Sequence, residues 1–287
     1  MTIFNLQERG KCPLCGSLEL NSLYEINYHA SEMQEYLKSA YGQSILFADN
    51  SLYQICNCKK CDFIFQNFIP SSDSVDSLYT YIISTENSFQ KSQQSSKASS
   101  IHNDALFSLS LKKQPSDRFL DYGAGWGGWS SSISNYNCNI FAFEISPPRV
   151  QFIKTISNVE VISSFNENDR FDYINLCQVL EHVVDPLSLL TQLKSLLNPK
   201  GIIHISTPNS PNSISLTLDS KTFLKKGPFQ PLEHINTFNY KTLNFAATRA
   251  GLVPCNPFYV SMKGIYGAKR SIKRKLFGAS NWYFTYT

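Results

Sequence analysis

Short apolar runs alternate with segments of helical apolar spacing between about residues 100 and 260. Runs at 118–122, 140–143, 159–162, 171–176 and 201–206 read as buried strands. Stretches at 126–136, 147–156, 186–197 and 240–250 read as helices. Pro147 and Pro148 suit the first turn of the second of these helices. Asp185-Pro186 opens the third, and Asn198-Pro-Lys-Gly201 closes it. Gly251 stands where a left-handed stop follows the last helix. This alternation predicts a doubly wound α/β domain with a mostly parallel sheet. Its ligands are expected at the carboxyl ends of the strands. Trp282–Thr287 alternates like a further, antiparallel strand. Upstream, Ile101, Ala105 and Leu109 mark a helix over 101–111, and the Ser/Gln/Lys-rich stretch before it reads as a mobile connector. Residues 163–170 are too few for a helix between the third and fourth strands, so Phe165 sits in a loop there.

The first strand runs into Asp121-Tyr-Gly-Ala-Gly-Trp-Gly-Gly128. Glycines are needed where a backbone turns through positive φ or touches a ligand. Gly123, Gly125 and Gly128 match the dinucleotide pattern G-x-G-x-x-G, with Gly127 between the last two. Asp121 ends the strand, and a carboxylate there suits a cationic ammonium better than a pyrophosphate. Glu144 ends the next apolar run and can accept hydrogen bonds from both ribose hydroxyls. S-adenosylmethionine carries an ammonium and no phosphate, so it fits both acids. A nicotinamide dinucleotide would set Asp121 against its pyrophosphate. Cys177 and Gln178 occupy the tip of the fourth strand, on the cofactor side, and Phe165 is placed to fold over an adenine.

Cysteine usage adds a second module. Of eight Cys, four form the pairs Cys12-Pro-Leu-Cys15 and Cys58-Lys-Lys-Cys61. Two such turns complete a tetrahedral four-thiolate zinc site. Zinc would stand in for a hydrophobic core that a small segment cannot build. The long gap between the pairs calls for an insertion looping out at about 27–50, and Cys56 competes with Cys58 for the fourth ligand place. The organisation expected is a cysteine-rich zinc module over 1–82, a linker over 83–100 and the α/β domain over 101–287.

A hydrophobic fraction of 42% supports a real core, and a net charge of +4 does not point to nucleic acid. No apolar run reaches spanning length and the N-terminus lacks a secretory core, so a cytoplasmic location is the default expectation. Residues 263–275 hold six basic residues and no acid, which suits peripheral contact with an anionic membrane or a lipid-linked substrate.

Taken together, Leu120–Gly127, Phe143-Glu-Ile-Ser146, Phe171–Pro186 and Leu193–Pro208 resemble class I S-adenosylmethionine-dependent methyltransferases in order and spacing. The resemblance covers about residues 100–260 and implies a Rossmann-like seven-stranded sheet. The cysteine pairs, the strand Phe63-Ile-Phe65, Pro70 and Leu78-Tyr79 are similar to the zinc-ribbon module of sugar and glycan methyltransferases. In that family a Glu-His pair borders the acceptor and supplies a base, which carries over to His234 with Glu233 as its partner. The resemblance thus implies methyl transfer to a sugar, a glycan or a related hydroxyl, or to a sugar carbon, on a small-molecule, nucleotide-linked or lipid-linked acceptor. The region of Glu181-His-Val-Val-Asp-Pro186 also looks like quinone-pathway O-methyltransferases.

His182, just beyond the fourth strand, is a second catalytic candidate. Lys221, Lys225 and Lys226 lie in a long connector that could cover the acceptor. Two rival readings are a zinc-ribbon RNA methyltransferase and a non-catalytic cofactor-binding module. The first calls for a basic, aromatic face. Asn175-Leu-Cys-Gln178 also lacks the Asn-Pro-Pro-aromatic pattern of enzymes that methylate base amines.

Overall fold

The structure is a computed structural model and describes residues 3–210, 224, 227–255 and 279–285. The chain divides into two compact units. The first comprises Met1–Ser84, Leu180–Leu187 and Pro208–Ala246, and the second comprises Thr85–Val179, Ser188–Thr207 and Ala247–Thr287. Leu180–Leu187 and Pro208–Ala246 therefore group with the N-terminal residues rather than with the remainder of 101–287.

In the first unit, β1 (Leu6–Glu8) precedes β2 (Leu20–Asn27), α1 (Ser31–Tyr41), β3 (Leu52–Cys58), β4 (Ile64–Gln66), β5 (Phe68–Pro70) and α2 (Ser72–Ser77). β1 pairs antiparallel with β5. β2, β3 and β4 form an antiparallel sheet, which a later short strand, Asn236–Thr237, extends beside β4. The stretch expected to loop out instead builds a core. Met33 and Leu37, one turn apart on α1, are fully buried with Tyr28, Phe47, Tyr53 and Ile55. Phe229 and Leu232 join the same cluster. Full burial of each large apolar side chain is worth about 1.5–3 kcal/mol. This unit therefore has an apolar core of its own beside its cysteines.

The second unit starts with α3 (Thr85–Ser92) and α4 (Ser95–Leu109). The Ser/Gln-rich segment read as a connector is thus helical. Phe89 packs edge-on against Trp126 and Phe152, and Ala105 lies in the core. There follow β6 (Arg118–Tyr122), α5 (Gly128–Ile133), β7 (Asn139–Phe143), α6 (Pro147–Ile153), β8 (Val159–Ile162), β9 (Phe171–Cys177), α7 (Pro186–Ser195) and β10 (Leu197–Pro208). After β11 (Asn236–Thr237) and α8 (Tyr240–Arg249), the sheet closes with β12 (Val253–Pro254) and β13 (Ala279–Thr285).

The seven strands run in the order β12-β13-β10-β9-β6-β7-β8. β10, β9, β6, β7 and β8 pair in parallel, and β12 pairs antiparallel with β13. This is the Rossmann-like α/β arrangement, with β6 in the middle of its five parallel strands. Phe119, Ile140, Tyr173 and Ile202 from successive strands pack with Trp129 and Ile133 of α5. Asn198-Pro-Lys-Gly201, expected as a helix stop, lies inside β10 as an irregularity. The register shifts between Leu197 and Ile202, and Lys200 takes a positive φ. Among the described residues no helix is long and apolar enough to cross a membrane.

Candidate functional site

The glycine turn after β6 is fastened from the next strand. Gly123 and Ala124 donate backbone N–H bonds to the Phe143 carbonyl. Gly125 donates to Glu144 Oε2 at 2.8 Å. Glu144 Oε1 accepts from the Ile145 and Ser146 amides at 2.9 Å each, and Arg149 lies 4.0 Å away. Gly123, Gly125 and Gly127 all take positive φ. At Gly123 a Cβ would collide with Val179 Cγ2, whereas at Gly125 it would meet nothing within 4 Å. The turn thus packs on Val179 at one end and opens to a ligand in its middle.

Asp121 is 2% exposed. It accepts from Ser130 Oγ at 2.7 Å and from Asn175 Nδ2 at 2.8 Å. Burial pushes its carboxyl up to about 6, while the bonds from Asn175 and Ser130 oppose that rise. The parallel register sets Asp121 opposite Asn175 and Asn175 opposite His204. His204 Nδ1 lies 3.0 Å from Asn175 Oδ1, and its ring stacks on Tyr283 at 4.8 Å. Because the Asn175 amide N–H goes to Asp121, its oxygen accepts from His204 Nδ1–H. A polar line therefore crosses β6, β9 and β10. Ser130, Asn175 and His204 are the members that pattern reading did not single out, since they lie inside a helix and two strands without a motif.

Beside the turn, Phe165 stacks on Tyr122 at 6.0 Å and packs on Phe143 at 5.0 Å. Cys177 and Gln178 end β9. Gln178 takes a positive φ and bonds the Ser206 carbonyl through both its amide N–H and its side chain. These residues form an acid-fastened glycine turn with an aromatic wall. That donor and acceptor set fits an adenosine ligand carrying an ammonium group.

In the first unit, the Sγ atoms of Cys12, Cys15, Cys58 and Cys61 all lie within 4.8 Å of one another. Cys12 approaches Cys61 at 3.5 Å, and Cys15 approaches Cys58 at 3.4 Å. Cys56 turns instead toward Gln54 Oε1. Four convergent thiols are a fit donor set for zinc.

The same unit brings together His182, Glu233 and His234, with Glu181 beside them. The two imidazole centroids lie 5.0 Å apart. His182 Nδ1 is 2.9 Å from the Glu233 carbonyl. The expected ring partner of His234 was the Glu233 carboxylate. The Gly227 carbonyl takes that place at Nδ1, and the Glu233 carboxylate accepts from Gln230. Neighbouring side chains in this non-helical stretch have different partners, so adjacency in sequence did not make a pair. Burial lowers the His234 pKa. It also pushes the Glu181 carboxyl up to about 8. Lys221, Lys225, Lys226 and the basic segment 263–275 lie outside the described residues.

Residues 91–254 match the family described as methyltransferase domain. The chain is similar to the ubiquinone biosynthesis O-methyltransferase of Xanthomonas campestris pv. campestris strain B100. They are 26% identical over 125 residues, covering 39% of this chain and 52% of that protein. For the protein of the same name from Cereibacter sphaeroides strain ATCC 17029, identity is 30% over 114 residues, covering 35% and 45%. The chain spans about half the length of these curated relatives. Among solved structures, the CcbJ methyltransferase from Streptomyces caelestis gives a TM-score of 0.48 at 13% identity, covering 65% of this chain and 89% of that one.

Proposed function

The chain belongs to the methyltransferase-domain family, and from that premise we propose that it is an S-adenosylmethionine-dependent enzyme that methylates a hydroxyl of a small molecule. A sugar or glycan hydroxyl is the acceptor class. The observation that carries this reading is the glycine turn closed by Glu144 onto Gly125, inside the matched segment. When bound, the cofactor supplies an electrophilic methyl carbon. Asp121 and Glu144 hold its ammonium and ribose ends. Gly123, Gly125 and Gly127 give it backbone access. Phe165 covers the base, and Cys177 and Gln178 border the methionine end.

An alcohol keeps its proton at neutral pH, so a positioned base assists the transfer. His234 suits that role. Nδ1–H donation to the Gly227 carbonyl leaves Nε2 as the basic nitrogen, and burial keeps the ring neutral. The His182 ring, edge-on at 5.0 Å, positions it, and the Glu233 carbonyl holds His182 at Nδ1. The names of the curated relatives support oxygen as the atom methylated. The cysteine pairs, which the relatives' names do not speak to, hold a structural zinc ion through Cys12, Cys15, Cys58 and Cys61.

Calorimetric titration with S-adenosylhomocysteine, followed by nucleotide sugars on the loaded protein, tests the reading. The expected result is saturable uptake of the first and acceptor binding that depends on it. Uptake of a pyridine dinucleotide with none of S-adenosylhomocysteine would overturn it.

A further inference from the structure

Glu181 is 1% exposed, and among the described residues neither carboxylate oxygen has a hydrogen-bond partner. Burying a carboxyl group without donors costs several kcal/mol unless something compensates it. The nearest candidate is His182, whose Nε2 is 4.0 Å from Oε1, beyond hydrogen-bond range. The imidazoles around it face carbonyls. His182 Nδ1 points to the Glu233 carbonyl and His234 Nδ1 to the Gly227 carbonyl. A carbonyl only accepts, so each ring carries its proton on Nδ1 and its lone pair on Nε2. Metal-ligating histidines are fixed in this way, with the second nitrogen donating to a carbonyl. The cluster thus gathers two imidazoles and one carboxylate.

We propose that Glu181, His182 and His234 form a second metal site, distinct from the cysteine site, for a divalent transition-metal ion of the kind that takes nitrogen and oxygen ligands. One ring nitrogen of each histidine and one Glu181 oxygen lie within 4.8 Å of one another. Ligands about 2.1 Å from one ion sit about 3–3.4 Å apart, so binding draws them together by about an ångström or more. Side-chain rotation covers that distance, since Glu181 and His182 lie on one short 3-10 turn and His234 on a non-helical segment. Three protein ligands leave coordination positions open, as in catalytic rather than structural sites. An acceptor hydroxyl would then occupy one, and with His234 Nε2 ligated the ion, not a free imidazole, would ease its deprotonation. Donor chemistry separates the two sites, because four thiolates favour a soft or borderline ion and take zinc first.

The test loads the full chain with one equivalent of Zn2+ for the cysteines and then titrates Co2+ by calorimetry and visible absorption. The expected result is one Co2+ per chain without thiolate charge-transfer absorption. Its affinity should fall at least tenfold in both Glu181→Gln and His234→Ala. Absence of Co2+ uptake in the wild-type chain overturns the proposal, and so does uptake that carries a thiolate band. Uptake unchanged in both variants overturns it as well. The wild-type arm stands if a variant fails to fold. Because uptake is read without turnover, its failure is separate from failure of the methyl-transfer reading, although a role for the ion in catalysis rests on that reading.

Discussion

Asp121 and Glu181 are both carboxylates with almost no exposure, 2% and 1%, yet their surroundings are opposite. Asp121 receives Ser130 and Asn175, and the latter is itself held by His204. Glu181 receives no hydrogen bond from the described residues and lies beside two imidazoles whose Nδ1 atoms face carbonyls. Burial raises the pKa of both, but the bonds at Asp121 hold it to about 6, against about 8 for Glu181. The first acid is satisfied by its own fold. The second has no donor among the described residues.

The largest test of that contrast is Gly123→Ala, which attacks the self-completed turn. Positive φ costs a non-glycine residue about 1–3 kcal/mol. The collision with Val179 adds about 1–3 kcal/mol of overpacking. Denaturant unfolding should show a loss of about 2–6 kcal/mol together with lost S-adenosylhomocysteine binding. Adding Val179→Ala should recover the packing share only. Equal stability of Gly123→Ala and the parent chain would show that the turn is not packed as described.

The next test follows the proton on Asp121. Its native pKa of about 6 lies above the ordinary 3.8, so the native state binds more protons than the unfolded state between those values. Stability contributed by this group is therefore greatest at low pH and falls as pH rises through that window. Each pH unit is worth about 1.4 kcal/mol, so the loss reaches about 3 kcal/mol by neutrality. The stability difference between the parent chain and Asp121→Asn should change by about 2.4 kcal/mol between pH 4 and pH 7, with the parent relatively weaker at pH 7. A flat difference would mean that the carboxylate is better solvated than its contacts imply.

Gly128→Ala sets the lower bound. The residue has no positive φ, and a Cβ would make only ordinary contact with Ile101 at 3.7 Å. Stability and S-adenosylhomocysteine affinity should stay within about 0.5 kcal/mol of the parent. A larger loss would mean that this glycine, too, is needed for close approach.

The strands of the second unit were legible because each is a short apolar run with a turn residue at its end, as in Phe119-Leu-Asp121 and Phe141-Ala-Phe143. The glycine turn was legible because its φ values admit few other residues. Other features were hidden for physical reasons. Thr85–Ser92 is polar along most of its length; Phe89 and Ser88 tie it to Trp126 of the turn, and Ser88 also to Arg149 of α6. The insertion at 27–50 hid a core because Met33 and Leu37 give a short stripe that reads equally as surface. Glu181 and His234 are separated by a long stretch of chain, so their meeting follows from tertiary folding and not from any local period. The polar line through Asn175 and His204 became visible only with strand register.

The stacking of Tyr283 on His204 has a temporal consequence. Tyr283 lies on β13, the last described element to leave the ribosome, and His204 secures Asn175 against Asp121. A nascent chain can form the glycine turn while its anchoring acid is still loosely oriented. Orientation of that acid would then wait on the docking of β13, after the other described strands of the sheet are made.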